Sequence, residues 1–444
     1  MTSDPGLKIK WQWESAGAMR TPEHAATWAG IEIWAGSDCV TLVENAESGS
    51  SRRMIYCPLY ALAEWVAFNW WTLQADARPA RELGVRWTIG VTGQTILPDR
   101  LRRHSLRAIG DGFLWPNLLV VPEGDQTRLI WRRDSPAAPD RVIRFLTQGD
   151  VLVDRASVTR EFSGLISEVL TRLAERGVSG TPLHKEWQAI QETDRDETAY
   201  CLAAARLGLD PYSEAEPYER SILGAAERLS GRLLDDFFDA VEPDSIDQDL
   251  AWIDSARQLI GREDHADQMT AVQSLRSEVG ANYRDEYEAP WERGWRQARR
   301  ICGVLGANET EPFDLTFFVS GVHQQVGDRG LLAAGGAGER VAPIVVIGQH
   351  RAESTRRFTL ARALWHQVWD DEPVFLVTTA YTDRQKVERA FAAELLAPAS
   401  GIAHLLGFDP SEASPEDVDQ VAESLNVSPM VVQHQLQNQL LPSQ

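Results

Sequence analysis

Arg356-Arg-Phe-Thr-Leu-Ala-Arg-Ala-Leu-Trp-His366 and, further on, Phe391-Ala-Ala-Glu-Leu-Leu-Ala-Pro398 are the two stretches whose reading decides how the last third of this chain folds. The first lies inside a helix expected over Ser354–Trp369. The second closes a helix expected over Asp383–Leu396, with Pro398 as its stop. Before them, the apolar run Pro343–Ile347 has the length of a core strand, and Phe313–Ser320 reads as another. Between these two runs lies the glycine-rich Gly327–Gly338. It reads as a loop but not as a phosphate loop, because it lacks the Lys-Ser/Thr ending and does not run from strand to helix. After Pro398, three short helices are expected at Pro398–Leu406, Pro415–Leu425 and Pro429–Gln439.

Upstream of this region the period is helical throughout. Val158, Phe162, Leu165, Ile166, Val169, Leu170 and Leu173 form one apolar stripe, ended by Arg176-Gly177. Further helices are expected near Asp194–Gly208, Glu216–Leu229, Gly231–Val241, Ile246–Gly261, Gln268–Val279 and Trp291–Leu305. None of them carries a cluster of His, Cys or carboxylate residues. Towards the N-terminus the period shortens to two. Lys8–Trp13, Gly30–Trp34, Cys39–Val43, Arg53–Cys57, Val85–Gly90, Leu118–Val121, Arg128–Arg132 and Val142–Leu146 read as short strands, interrupted by one helix at Leu59–Leu73. Trp is dense here, at positions 11, 13, 28, 34, 65, 70, 71, 87, 115 and 131. Such rings build either a core or a stacking platform for sugars or bases; the core reading is preferred, since each ring buries a large apolar area and needs one N–H partner.

The composition, 43% hydrophobic and 25% charged, is that of a folded protein. No run approaches the roughly 18–20 apolar residues of a membrane span, and the N-terminus has no signal-peptide pattern. Cys39, Cys57, Cys201 and Cys302 have no paired spacing, which argues against a zinc ribbon and a disulfide framework and favours a cytoplasmic setting. A net charge of −21 opposes binding to nucleic-acid phosphates unless basic residues gather on one face.

The two stretches quoted first resemble the ImmA/IrrE family of zinc peptidases, in which Arg-Phe-Thr-Leu-Ala runs directly into a His-Glu-x-x-His helix and the Phe391–Pro398 pattern follows as a second signature. The resemblance spans roughly Phe313–Leu440 and extends to the tail, where Leu425-Asn-Val-Ser-Pro-Met-Val-Val-Gln-His-Gln-Leu436 is similar to the family's helix-turn-helix-like end. In that family two His at i and i+4 hold zinc, and the Glu beside the first activates a bound water. Here the first His position holds Arg362, the base position Ala363, and the family's Gly before the second His is Trp365; only His366 remains. The third-ligand Glu aligns with Gln385 or Val387, with Glu388 out of step by a residue or more. Arg has no free donor lone pair for a metal. The resemblance therefore implies a degenerate site with no metal and no catalytic residue, and His366 reads as a satisfied helix histidine. Arg362 reads either as a solvated charge or as a guanidinium filling the metal position and paired with Glu388 or Glu394.

The sequence thus predicts an α+β protein in three parts: a β-rich, Trp-rich domain (1–154), an all-helical middle (155–308), and a degenerate zincin-like domain with a helix-turn-helix-like tail (309–444). The resemblance implies a pseudo-metallopeptidase without cofactor that binds a protein partner, in a bacterial stress, mobile-element or phage-response setting. Two other readings stand beside it: an active metallo-endopeptidase with an unconventional site that cleaves a repressor, and a DNA-binding regulator. In the tail, Gln433, His434, Gln435 and Gln437 could face bases, but no cation lies near to hold phosphates, and a structural use of the tail is preferred.

Overall fold

Odd-numbered residues of Leu7–Trp13 are apolar and even-numbered ones polar, and the segment is a strand with Leu7 and Ile9 buried and Lys8, Lys10 and Gln12 exposed. The architecture comes from a computed structural model that describes residues 6–17, 19–79, 99–134, 142–260, 266–280, 288–324, 330–336, 344–348, 352–370 and 372–441. The fold is α+β, β-rich at the N-terminus and largely helical afterwards. It divides into two compact units, Met1–Glu219 and Arg220–Gln444.

The first unit runs β1 (Leu7–Trp13), α1 (Pro22–Ala26), β2 (Trp28–Ala35), β3 (Asp38–Cys39), β4 (Val43–Asn45), β5 (Ser51–Arg52), β6 (Ile55–Pro58), α2 (Leu59–Phe68), α3 (Trp70–Ala75), α4 (Asp99–Arg102), β7 (Asn117–Glu123), β8 (Gln126–Arg132), β9 (Ile143–Phe145), β10 (Gly149–Asp154), α5 (Arg155–Glu175), α6 (Pro182–Glu192) and α7 (Arg195–Arg206). All its strand pairings are antiparallel. Strand β2 takes β1 along one edge and β3 and β6 along the other, while β10-β8-β7 and β5-β4-β9 form two further sheets. The stripe of α5 is buried in the same core as these strands, and α6 joins it through Leu183, Trp187 and Ile190.

Several sequence expectations shift here for local reasons. The helix expected over Leu59–Leu73 breaks at Asn69, whose Nδ2 donates to the carbonyl of Trp65 at 2.8 Å and closes the first segment. The strand expected over Cys39–Val43 is two short ones around a turn in which Leu42 N–H donates to the carbonyl of Cys39. Helix α6, unanticipated, starts at Thr181 with Pro182 in its first turn. Trp65, Trp71, Trp115 and Trp131 are buried, whereas Trp11, Trp13, Trp28, Trp34 and Trp70 are half-buried. Val85–Gly90, with Trp87, lies outside the described residues. All four cysteines are buried and unpaired.

The second unit contains α8 (Glu219–Arg228, which starts at the boundary), α9 (Gly231–Phe238), α10 (Ile246–Ile260), α11 (Ala266–Val279), α12 (Pro290–Leu305), β11 (Ser320–His323), β12 (Leu331–Gly336), β13 (Ile344–Ile347), α13 (Glu353–Trp369), β14 (Val374–Thr378), α14 (Asp383–Leu396), α15 (Ala399–Leu406), α16 (Pro415–Ser424) and α17 (Pro429–Gln435). Its sheet has the order β11-β13-β12-β14, with β11 parallel to β13 and the other pairs antiparallel. The expected helical middle is therefore not a body of its own. Residues 155–206 share the first unit's core and residues from 220 onward belong to the second, because a one-sided apolar stripe must be covered and the sheets offer the surface.

Two strand assignments also change. Phe313–Ser320 is mostly turn: Asp314 Oδ1 accepts from Thr316 N and Oγ1 at 2.9 and 2.6 Å, an Asx turn that competes with a ladder, and the strand starts only at Ser320. The glycine-rich loop holds β12. Gly335 pairs with Phe375 across the ladder, and a Cβ on Gly335 would stand 2.4 Å from that ring, so the glycine lets Phe375 lie flat across the sheet.

Helices α12 and α14 approach so closely at Gly294 that a Cβ there would stand 2.4 Å from the carbonyl oxygen of Val387. Gly164, exposed on α5, has nothing within 4 Å of such an atom. Gly294→Ala should destabilise by about 1–3 kcal/mol through overpacking, and Gly164→Ala should stabilise by up to about 1 kcal/mol through helix propensity. Denaturant unfolding of the two variants checks this; shifts of the same sign would refute the close-packing account.

Candidate functional site

From Thr359 to Trp369 every residue of α13 is buried, on all sides of the helix. Leu360, Ala361, Ala363, Leu364, Trp365 and Val368 make that burial favourable. Arg362 and His366 make it costly unless each donor and acceptor is paired. The partners come from α14 and the surrounding elements. Arg362 Nε donates to Glu388 Oε1 at 3.1 Å, and its Nη2 donates both to that oxygen and to the carbonyl of Thr378 at 2.6 Å. His366 Nε2 contacts the other Glu388 oxygen, and Nδ1 lies 3.0 Å from Asp370 Oδ2 at the end of the same helix. Arg384 Nη2 contacts that Asp370 oxygen and stands 2.9 Å from His366 Nδ1, while its Nη1 donates to Asp236 Oδ2 at 2.5 Å. Gln385 Nε2 completes the group by donating to Asp236 Oδ1 at 2.7 Å.

The result is a buried chain of charges running from Arg362 through Glu388, His366, Asp370 and Arg384 to Asp236, with the Phe375 ring stacked on the imidazole at 4.5 Å between centroids. Burial alone would raise the Glu388 carboxyl, but the charges and hydrogen bonds of Arg362 and His366 outweigh it and hold it down at about 2. Asp370 follows the same pattern: burial raises it, and the hydrogen bond and charge of His366, with the charge of Arg384, bring it to about 2. At Asp236 burial wins, and its carboxyl is raised despite Arg384 and Gln385. Burial works against the Arg384 guanidinium, yet the charges of Asp236, Asp370 and Glu388 raise it further.

The structure brings Arg362, His366 and Glu388 together and separates them from Glu394. That carboxylate accepts from Arg299 Nε at 2.7 Å and from Gln435 and Gln439 Nε2 at 2.6 Å each. Arg362 is thus buried and paired with Glu388, not solvated. Glu388, read from the sequence as out of step, is the residue that meets His366; Gln385 hydrogen-bonds Asp236, and Val387 packs in the core. Ala363 is a plain core residue. Trp365 packs edge-on against the His366 imidazole at 5.0 Å between centroids, and its Nε1 donates to Gln297 Oε1 on α12 at 2.8 Å. In the tail, Gln435 is buried against Glu394 and the carbonyl of Ala397, while Gln433, His434 and Gln437 are exposed. Asp236, Asp370, Arg384 and Phe375 went unread. Asp370 and Arg384 stand one helical turn from His366 and Glu388, a spacing that could have marked them.

A zinc ion does not fit these residues. Glu388 and His366 are the natural ligands, but a guanidinium occupies the carboxylate and both imidazole nitrogens face carboxylates. Among the described residues no group of three or more His, Cys, Asp or Glu is arranged to hold a metal ion. No protein-family model matches this chain, and no curated protein matches it.

Removing one partner of a buried ion pair costs roughly 3–5 kcal/mol, against at most about 1 kcal/mol for an exposed pair. Arg362→Ala should therefore lower the melting temperature of the second unit by on the order of 10 °C. Arg362→Met combined with Glu388→Gln should recover much of the loss, because no unpaired charge is left; an unchanged Arg362→Ala melt would refute the pairing. The pH sign follows from the depressed groups. Glu388 and Asp370 contribute stability that is complete above their unfolded values, near 4.5 and 3.8, and is lost as pH falls towards about 2. Asp236, raised, opposes them in part. Melting temperature should fall between pH 5 and pH 2, and less steeply in the Arg362→Met/Glu388→Gln protein.

Proposed function

We propose that the second unit is a non-catalytic regulatory or interaction module on an ImmA/IrrE-like zinc-peptidase scaffold, in which Arg362 has taken the place of the metal. One observation carries this reading: a guanidinium stands on the His366–Glu388 pair that a zinc ion would need, and links the two helices as the ion would. Ala363, at the position of the family's general base, cannot act as one.

A partner-binding role is supported by the surface of the same unit. Phe317 is 66% exposed beside a cavity of about 450 Å³ lined by Leu305, Phe313 and Phe318. Exposed apolar patches of this kind are typical of protein interaction sites. The partner is a protein, and the setting implied by the resemblance is a bacterial stress, mobile-element or phage response in the cytoplasm. Among the described residues no helix is long and apolar enough to cross a membrane. Elemental analysis of the purified protein should find no zinc bound at His366, and the Arg362→His/Ala363→Glu variant should remain without peptidase activity. One zinc per chain, released by His366→Ala, would overturn the proposal. In capture experiments from the source cells, a partner held by the wild-type protein should be lost with Phe317→Asp.

A further inference from the structure

The second feature of this chain that its sequence singles out, the aromatic-rich N-terminal strands, has a face that the core does not use. In the sheet of β1, β2, β3 and β6 the inward residues are Leu7, Ile9, Ile31, Ile33 and Ile55. The opposite face carries Lys8 and Lys10 from β1, Glu32 and Trp34 from β2, and Tyr56 from β6, with Lys8 paired to Trp34, Lys10 to Glu32 and Gly30 to Tyr56 in the ladder. Tyr56 is 44% exposed. It lies across Gly30, where a Cβ would meet its ring at 3.2 Å and the Met54 sulfur at 2.3 Å, so the glycine is what lets the ring rest on the sheet.

The cations near this face gather around its two exposed or half-buried rings. Lys8 and Lys10 are two of only four lysines in the protein. Lys10 Nζ lies 5.2 Å and the Arg53 guanidinium 5.7 Å from the centroid of Trp34, and the Arg52 guanidinium lies 5.2 Å from that of Tyr56. Lys8, Lys10, Arg52 and Arg53 are all exposed, and among the described residues none forms a salt bridge, although the chain holds 65 acidic residues against 44 basic ones. Glu32, the one acid among these face residues, is engaged by Trp34 Nε1 at 3.0 Å.

We propose that this face binds single-stranded nucleic acid, with bases stacking on Tyr56 and the Trp34–Arg53 pair and phosphates held by Lys8, Lys10 and Arg52. Four unpaired cations interleaved with aromatic rings complement a polyanion whose units carry a flat apolar face, which is what a single strand presents. A duplex keeps its bases stacked within and offers no ring to this surface. The inference is independent of the reading of the second unit.

The test uses the full chain and fluorescently labelled oligouridine and oligothymidine about 16 nucleotides long, with anisotropy read across a salt series. Binding to single strands is expected, weaker for a duplex, with a log–log salt slope no steeper than about 2 from three phosphate contacts. Tyr56→Ala should weaken binding on the order of tenfold through lost stacking, Tyr56→Phe should retain it, and Lys8→Gln/Lys10→Gln should weaken it and flatten the salt slope. Phe317→Asp, on the other unit, should leave it unchanged. A preference between the two oligomers assigns RNA or DNA as the ligand, both within the proposal. No binding at low salt, equal binding of a duplex, indifference to Tyr56→Ala, or displacement by polyglutamate at equal charge concentration (the mark of an acidic-peptide site) would each overturn it.

Discussion

A guanidinium with no water around it is tolerated only when a carboxylate and further acceptors meet it in good geometry. The second unit is arranged around that requirement. Arg362 sits on a helix buried on every side, and Glu388 comes from the neighbouring helix, so the two helices cannot rotate or slide against each other without stranding a charge. An apolar pair of the same volume would hold the helices together equally well. What the ion pair adds is register, because apolar contacts tolerate a shift that a two-point hydrogen bond does not. From this one contact the others follow: His366 takes the second oxygen of Glu388, Asp370 and Arg384 satisfy His366, and Asp236 satisfies Arg384.

A metal and an ion-pair chain solve the same mechanical problem with different consequences. A bound ion ties its ligands only while it is present and while they are deprotonated, so its contribution moves with metal supply and pH. The Arg362–Glu388 pair is a link that no chelator removes. The ring nitrogens of His366 and both oxygens of Glu388 are all engaged by neighbouring side chains.

Legibility in the sequence followed the range of the interactions involved. Helices with their own stops, such as Asp383–Leu396, match their expected limits, because capping and apolar period are local. Strand β12 was hidden inside a glycine-rich run, since the reason for Gly335 is a ring on another strand, Phe375, far along the chain. The site divides in the same way. Arg362, His366 and Glu388 were named from local pattern, and the uncertainty over Glu388 came from counting residues between helices, where only helix phase in three dimensions decides which side chain arrives. Asp236 had no local signal at all: it lies on α9, and only the fold carries it to Arg384 and Gln385.

Net charge was the least informative property, and the structure explains why. A balance of −21 describes an average, whereas each function depends on where the minority cations are placed. In this chain the cations divide between two unlike environments. Arg362 and Arg384 are buried, each matched to carboxylates, and serve architecture. Lys8, Lys10, Arg52 and Arg53 lie exposed around Trp34 and Tyr56 with no carboxylate partner among the described residues. Glu32 is the one acid beside them on that face, and Trp34 Nε1 engages it. An acidic surface elsewhere then sharpens that face, because it repels a polyanion from every approach except the one where phosphates are matched.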